Sequence, residues 1–155
     1  MSDIGIIGAG SFGTALAISL AKENHNVNLW ARSETQIKEM LKLNENKNFL
    51  PGITFPKTLR PILDFRDLEC CSIILIAIPT QSLNQFFLHD FKFNNLPVVA
   101  CCKGAELETG DLPTEIIKRY LNYMKCGGGL LFYRPQQEII TYDNETKKIK
   151  YTPII

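Results

Sequence analysis

Ile4-Gly5-Ile6-Ile7-Gly8-Ala9-Gly10-Ser11-Phe12-Gly13-Thr14-Ala15-Leu16-Ala17 is the stretch that decides the fold. Its apolar run stops at Gly8, as a buried parallel strand does when it hands over to a turn. From Gly13 to Lys22 the chain is apolar nearly all round, the pattern of a helix packed hard against a sheet. Val27–Ala31 reads as a second strand. Gly8, Gly10 and Gly13 fit G-x-G-x-x-G, a spacing that gains meaning only between a strand and a helix that leads to another strand. In that setting Gly8 makes the tight turn, Gly10 leaves room for a diphosphate to approach the backbone, and Gly13 lets the helix lie close to the sheet. The first helical amides then face the phosphates, aided by a helix dipole effect of order ~1 kcal/mol. Residues 3–32 therefore read as a β–α–β unit that binds the pyrophosphate of a nicotinamide dinucleotide at Gly8–Gly13.

The same alternation continues downstream. Ser33-Glu34-Thr35-Gln36 is a capping box, with Ser33 as cap and Gln36 placed to reach back to it. The helix it opens carries Ile37, Met40 and Leu41. Asn44–Pro61 reads as loop, with one short strand near Leu59–Ile62 and a short helix after it at Phe65–Cys70. Ser72–Ile78 is a continuous β-branched strand stopped by Pro79; Thr80–Phe91 has helical period; Val98–Cys101 is another strand. Asp111–Tyr123 is a helix with Asp111 as cap and Pro113 in its first turn. Five apolar strands joined by helices predict an α/β fold, a Rossmann-type doubly wound parallel sheet over residues 1–123. Residues 124–155 read as a divergent tail: Gly127-Gly128-Gly129 breaks the pattern, Leu130–Tyr133 looks like a short strand, and Glu138–Tyr142 and Ile149–Tyr151 flank a polar turn, as in a β-hairpin.

Bulk properties narrow the function. The chain has 155 residues, of which 45% are hydrophobic and 21% charged, in the range of an ordinary globular domain. With 17 basic and 16 acidic residues, the net charge of +1 creates no field for nucleic acid or an anionic membrane. No apolar run approaches the length of a membrane span, and Met-Ser-Asp leads straight into a strand without a signal peptide, so the expected compartment is the cytoplasm. The five cysteines stand as Cys70-Cys71, Cys101-Cys102 and Cys126, with no C-x-x-C; they read as apolar strand-end residues rather than metal ligands.

Two charged residues report on the ligand. NAD-selective sites put a carboxylate at the end of the second strand, to hold the ribose 2′-hydroxyl. Here Arg32 stands there, and a guanidinium suits a 2′-phosphate, so NADPH is favoured over NADH. The alternative is a solvated surface arginine. Lys103 follows a buried strand on the sheet edge where open α/β folds bind ligands; a lysine there can hold an anion or polarise a carbonyl, or be an ordinary loop residue.

The opening segment resembles that of bacterial NAD(P)-dependent sn-glycerol-3-phosphate dehydrogenase. The resemblance continues through Leu29-Trp30-Ala31-Arg32, Asn48-Phe49-Leu50-Pro51-Gly52, Ala77-Ile78-Pro79-Thr80-Gln81 and Lys103-Gly104-Ala105-Glu106-Leu107-Glu108-Thr109-Gly110, in order, across roughly residues 3–123. It implies that Ser11 and Phe12 touch the cofactor beside the pyrophosphate and that Arg32 approaches the adenosine 2′ side. It also implies that Pro79 lines the nicotinamide crevice and that Lys103 contacts both cofactor and substrate phosphate. The family interconverts dihydroxyacetone phosphate and sn-glycerol 3-phosphate for glycerophospholipid synthesis. Its helical substrate domain, with the catalytic lysine, finds no counterpart after Tyr123. The expectation is thus the cofactor-binding half of such an oxidoreductase, inactive alone. The alternative is a non-catalytic nucleotide-binding or protein-interaction module, self-associating through an exposed sheet edge.

Overall fold

A computed structural model describes residues 3–88, 96–123, 130–132, 138–143 and 148–153. Strand β1 (Asp3–Ile7) pairs in parallel with β2 (Asn26–Trp30) on one side and β6 (Ile73–Ile76) on the other. Beyond β2 lies β5 (Leu59–Ile62); beyond β6 lie β7 (Val98–Ala100) and β8 (Leu130–Phe132), giving a six-stranded sheet ordered β5-β2-β1-β6-β7-β8. Among these parallel strands the chain runs outward from β1 one way, then returns to the centre and runs outward the other way. That is the doubly wound order, with its switch point between β1 and β6.

The period-two alternation of the strands sorts their side chains between two cores. Ile4, Ile6, Val27 and Leu29 face Ala17, Ile18 and Ala21 of helix α1 (Ser11–Lys22), together with Ile37 and Met40 of α2 (Glu34–Leu43). Ile7, Ile74 and Ile76 face the other way, onto Leu83, Phe86 and Phe87 of α3 (Leu83–Phe87) and Ile116 and Ile117 of α4 (Pro113–Tyr123). Each fully buried isoleucine or leucine stabilises the fold by roughly 1.5–3 kcal/mol, so neither layer is dispensable.

Several local readings change. The stretch read as plain loop before Leu59 contains an antiparallel hairpin, β3 (Glu45–Asn46) with β4 (Leu50–Thr54), turning through residues 47–49, with Gly52 inside β4 at φ 78°. Phe65–Leu68 is a short 3₁₀ helix, and Thr80–Ser82 another that leads into α3; the expected continuation through Phe91 lies outside the described residues. Asp111 does not cap α4. Leu112 holds the cap position, its N–H on the Glu115 carboxylate at 2.8 Å, while Asp111 pairs with Arg119 one helical stretch later. Pro113 does open the helix, where its missing N–H costs nothing.

The sheet also extends past the five strands expected. Leu130–Phe132, which the sequence pattern assigns to the tail, lies in parallel register with Val98–Ala100. Strands β9 (Glu138–Asp143) and β10 (Lys148–Pro153) pair antiparallel; the polar turn between them lies outside the described residues. Among the described residues no helix is long and apolar enough to cross a membrane.

Candidate functional site

The turn after β1 is shaped by what its glycines lack. Gly8 has φ 115°, a conformation an L side chain rarely adopts, and a Cβ there would lie 2.7 Å from the Ala77 carbonyl at the end of β6. Its N–H instead reaches the Trp30 carbonyl at 3.0 Å, tying the turn to the end of β2. A Cβ on Gly13 would come within 1.9 Å of the Gly8 oxygen, so α1 approaches the turn as closely as backbone allows. Gly10 is different: a Cβ there would meet nothing within 4 Å. Gly10 is also the N-cap of α1; no side chain caps that end and no acid occupies its first turn. The helix therefore starts with backbone donors uncommitted to any side chain, the arrangement that receives anions.

Beside this turn, at the carboxyl ends of β1, β2 and β6, lies a cleft of about 580 Å³. Of the residues expected from sequence, Gly8, Gly10, Arg32 and Pro79 line it. Ser11 and Phe12 are exposed in the first turn of α1, Phe12 by 37%, next to the cleft rather than in its wall. Gly13 is buried beneath the turn. Lys103 is not in the wall: its side chain is exposed, and its backbone carbonyl accepts the Thr80 hydroxyl at 2.8 Å.

The wall holds residues that sequence reasoning did not assign. Trp30 donates from Nε1 to the Leu63 carbonyl at 2.9 Å and packs edge-on against Phe65 and Phe86, making one side of the cleft aromatic. Phe49, carried on the β3–β4 hairpin, is 46% exposed on that wall. Ser33 caps α2 as expected, accepting from the Gln36 N–H at 3.3 Å, but the Gln36 side chain does not reach back to it. It donates instead to the Ala9 carbonyl at 2.7 Å. Glu34, the first carboxylate in sequence after β2, is held by Lys38 at 2.7 Å, and that hydrogen bond lowers its pKa. Arg32 makes no ion pair among the described residues and lines the cleft.

Residues 3–128 match the family model described as NAD-dependent glycerol-3-phosphate dehydrogenase N-terminus. The chain belongs to this family. It is 43% identical over 116 residues to the glycerol-3-phosphate dehydrogenase [NAD(P)+] of Roseobacter denitrificans, an alignment covering 74% of this chain and 36% of that protein. The protein of the same name from Neisseria meningitidis is 39% identical over 121 residues, covering 76% of this chain and 37% of the relative. The chain thus spans little more than a third of the length of these curated relatives. A crystal structure of glycerol-3-phosphate dehydrogenase from Coxiella burnetii superposes with a TM-score of 0.69 at 30% identity, covering 84% of this chain and 39% of that one.

The glycerol-3-phosphate dehydrogenase family's segments at 77–81 and 103–110 are one structure here. Besides the Thr80 bond, Gln81 donates to the Ala105 carbonyl at 2.9 Å and accepts from the Leu107 N–H at 3.0 Å. Glu106, only 8% exposed, accepts from the Thr109 N–H at 2.9 Å and hydroxyl at 2.7 Å, closing the loop on itself. The loop carrying Lys103 is therefore fixed to the turn that follows Pro79.

Proposed function

We propose that this chain binds a nicotinamide dinucleotide, with its diphosphate on Gly8–Gly13, as the cofactor-binding half of an NAD(P)-dependent sn-glycerol-3-phosphate dehydrogenase. The observation that carries the reading is the uncapped start of α1, opening beside a cleft at the switch point of the sheet. Ser11 and Phe12 flank the diphosphate from the first turn. Arg32 takes the adenosine 2′-phosphate, and NADPH is preferred, because the competing carboxylate Glu34 is engaged by Lys38. Pro79 borders the nicotinamide. Lys103, on its fixed loop, attracts both the cofactor and the phosphate of dihydroxyacetone phosphate.

When bound, the cofactor supplies the hydride that separates dihydroxyacetone phosphate from sn-glycerol 3-phosphate. This chain's residues orient the cofactor and hold anions; the proton donor for the ketone oxygen is expected from outside these 155 residues. The dinucleotide unit is taken as residues 1–123, with β8 of the following segment 124–155 adding to the edge of its sheet, and the working compartment as the cytoplasm.

Thermal melting against NADPH and NADH tests the core claim. At a ligand concentration about 100 times the dissociation constant, stabilisation is about 2.7 kcal/mol. For a domain of this size that raises the midpoint by roughly 5–10 °C. Arg32→Ala is expected to weaken NADPH about tenfold and leave NADH nearly unchanged. A midpoint indifferent to both dinucleotides sinks the reading. A second reading, a non-catalytic module that pairs with a second copy, draws on β8, which bonds to β7 on one side and to no other strand among the described residues. Concentration-dependent sedimentation without any dinucleotide effect would favour it.

A further inference from the structure

The peptide between Ala9 and Gly10 has Gly8 before it and a glycine as its second residue, so little steric resistance opposes its rotation. Two elements outside the β1–α1 unit nevertheless reach its carbonyl. Gln36 of α2 donates to the Ala9 oxygen at 2.7 Å, and Asn46 of the β3–β4 hairpin donates at 2.9 Å. Asn46 is 1% exposed, and its amide nitrogen also donates to the Thr14 hydroxyl at 2.8 Å. Thr14 is fully buried and sends its own N–H to the Gly10 carbonyl at 2.9 Å. Burying an asparagine carboxamide is costly unless its donors are used, and here both go to the turn and the helix it opens.

A trans peptide is planar, with its C=O and N–H pointing in opposite directions, and no cis bond occurs among the described residues. Fixing the Ala9 carbonyl therefore fixes the Gly10 N–H, which has no protein acceptor among the described residues and belongs to a residue lining the cleft. We propose that Gln36 and Asn46 are positioning residues: by clamping the Ala9 carbonyl, they aim the Gly10 N–H at the bound diphosphate. Two donors on one carbonyl also polarise the shared peptide and make its N–H the stronger donor. The proposal rests on the reading of the turn as a diphosphate site.

The test uses the full chain with Gln36→Met, which keeps length and loses the donor, and Asn46→Ala. Affinity is measured for NADPH and for adenosine 2′-monophosphate, which has no diphosphate. The amide resonance of Gly10 is followed in the ligand-free proteins. Each variant is expected to weaken NADPH about five- to tenfold, part of the worth of one hydrogen bond to a charged acceptor because the donor is misaligned and not removed, with adenosine 2′-monophosphate changed by less than about twofold. The Gly10 resonance is expected to move in both variants. Asn46 is buried, so if Asn46→Ala loses its cooperative melt, the half-exposed Gln36 carries the test. Equal losses for both ligands in Gln36→Met, or an unmoved Gly10 resonance, overturn the proposal. A wild-type chain that takes up no dinucleotide would overturn the proposed function instead, and the Gly10 resonance would still decide whether the clamp sets the peptide.

Discussion

Gly10 and Gly13 share one turn and are glycines for different reasons. Gly10 has φ −78° and ψ −175°, a backbone any residue adopts, and open space where a side chain would stand. Nothing in the folded chain requires glycine there, so the requirement comes from whatever approaches the turn. Gly13 is required by the chain itself, because its Cβ would sit on the Gly8 oxygen. Gly13→Ala is expected to cost on the order of 3 kcal/mol, since backbone rather than a flexible side chain must yield. Gly10→Ala is expected to keep its stability within about 0.5 kcal/mol and to lose about tenfold in NADPH affinity. Urea unfolding and dinucleotide titration on both variants separate the two; wild-type binding by Gly10→Ala would remove the diphosphate from that position. The glycines were legible in the sequence because missing side chains at that spacing, between a strand and a helix, mark a turn where backbone must meet something closely. Gln36 and Asn46 were not. A glutamine three residues after a serine reads as a capping partner, and an asparagine in a polar stretch reads as loop. Their common target lies 27 and 37 positions away, a separation only the fold closes.

Strand β7 shows how far elements could be read from composition. Its apolar character placed it in the sheet, and its following cysteines read as strand-end apolar residues; Cys101 and Cys102 are 6% and 3% exposed. Burial pushes the Cys101 thiol up to about 11; burial, with the neighbouring Cys101 adding to it, pushes Cys102 up to about 12, from an ordinary value of 9.0. The folded chain thus keeps protons that the unfolded chain releases above about pH 9, so stability is whole below about pH 9 and falls as pH rises toward about 12. Each unit of pKa difference is worth about 1.4 kcal/mol. Urea midpoints measured from about pH 8 upward should decline, and Cys102→Ala should flatten part of that decline while lowering the midpoint at every pH. An identical slope in the variant would assign the alkaline loss elsewhere. Elements that were misread share a cause. The β3–β4 hairpin is short and built around Asn, Pro and Gly, residues that favour turns over strands, and it is held by pairing rather than by an apolar face. Strand β8 was legible as a short strand at Leu130–Tyr133 but not as a member of the sheet: it follows a glycine run, and its pairing with the edge of β7 is something no local pattern announces.

At the scale of the molecule, the sheet gathers the site's groups unevenly. The switch point gathers the glycine-rich turn, the aromatic wall around Trp30 and the guanidinium of Arg32 into one cleft. In the proposed reading, all of these address the adenosine and phosphate portions of a dinucleotide. Toward the expected nicotinamide end the described residues offer Pro79, and Lys103 outside the cleft wall on its clasped loop. Hydride transfer depends on holding the ketone in contact with the nicotinamide, an arrangement worth several orders of magnitude in rate. One exposed lysine does not fix a small triose phosphate against solvent. These 155 residues alone are therefore expected to bind NADPH with ordinary affinity yet to oxidise it negligibly in the presence of dihydroxyacetone phosphate. Steady-state absorbance of NADPH checks this, with melting in the same buffer to prove the cofactor is bound. Turnover on the order of 1 s⁻¹ or faster would mean that this half carries a complete site. The groups that hold and protonate the ketone would then have to be sought within residues 3–153.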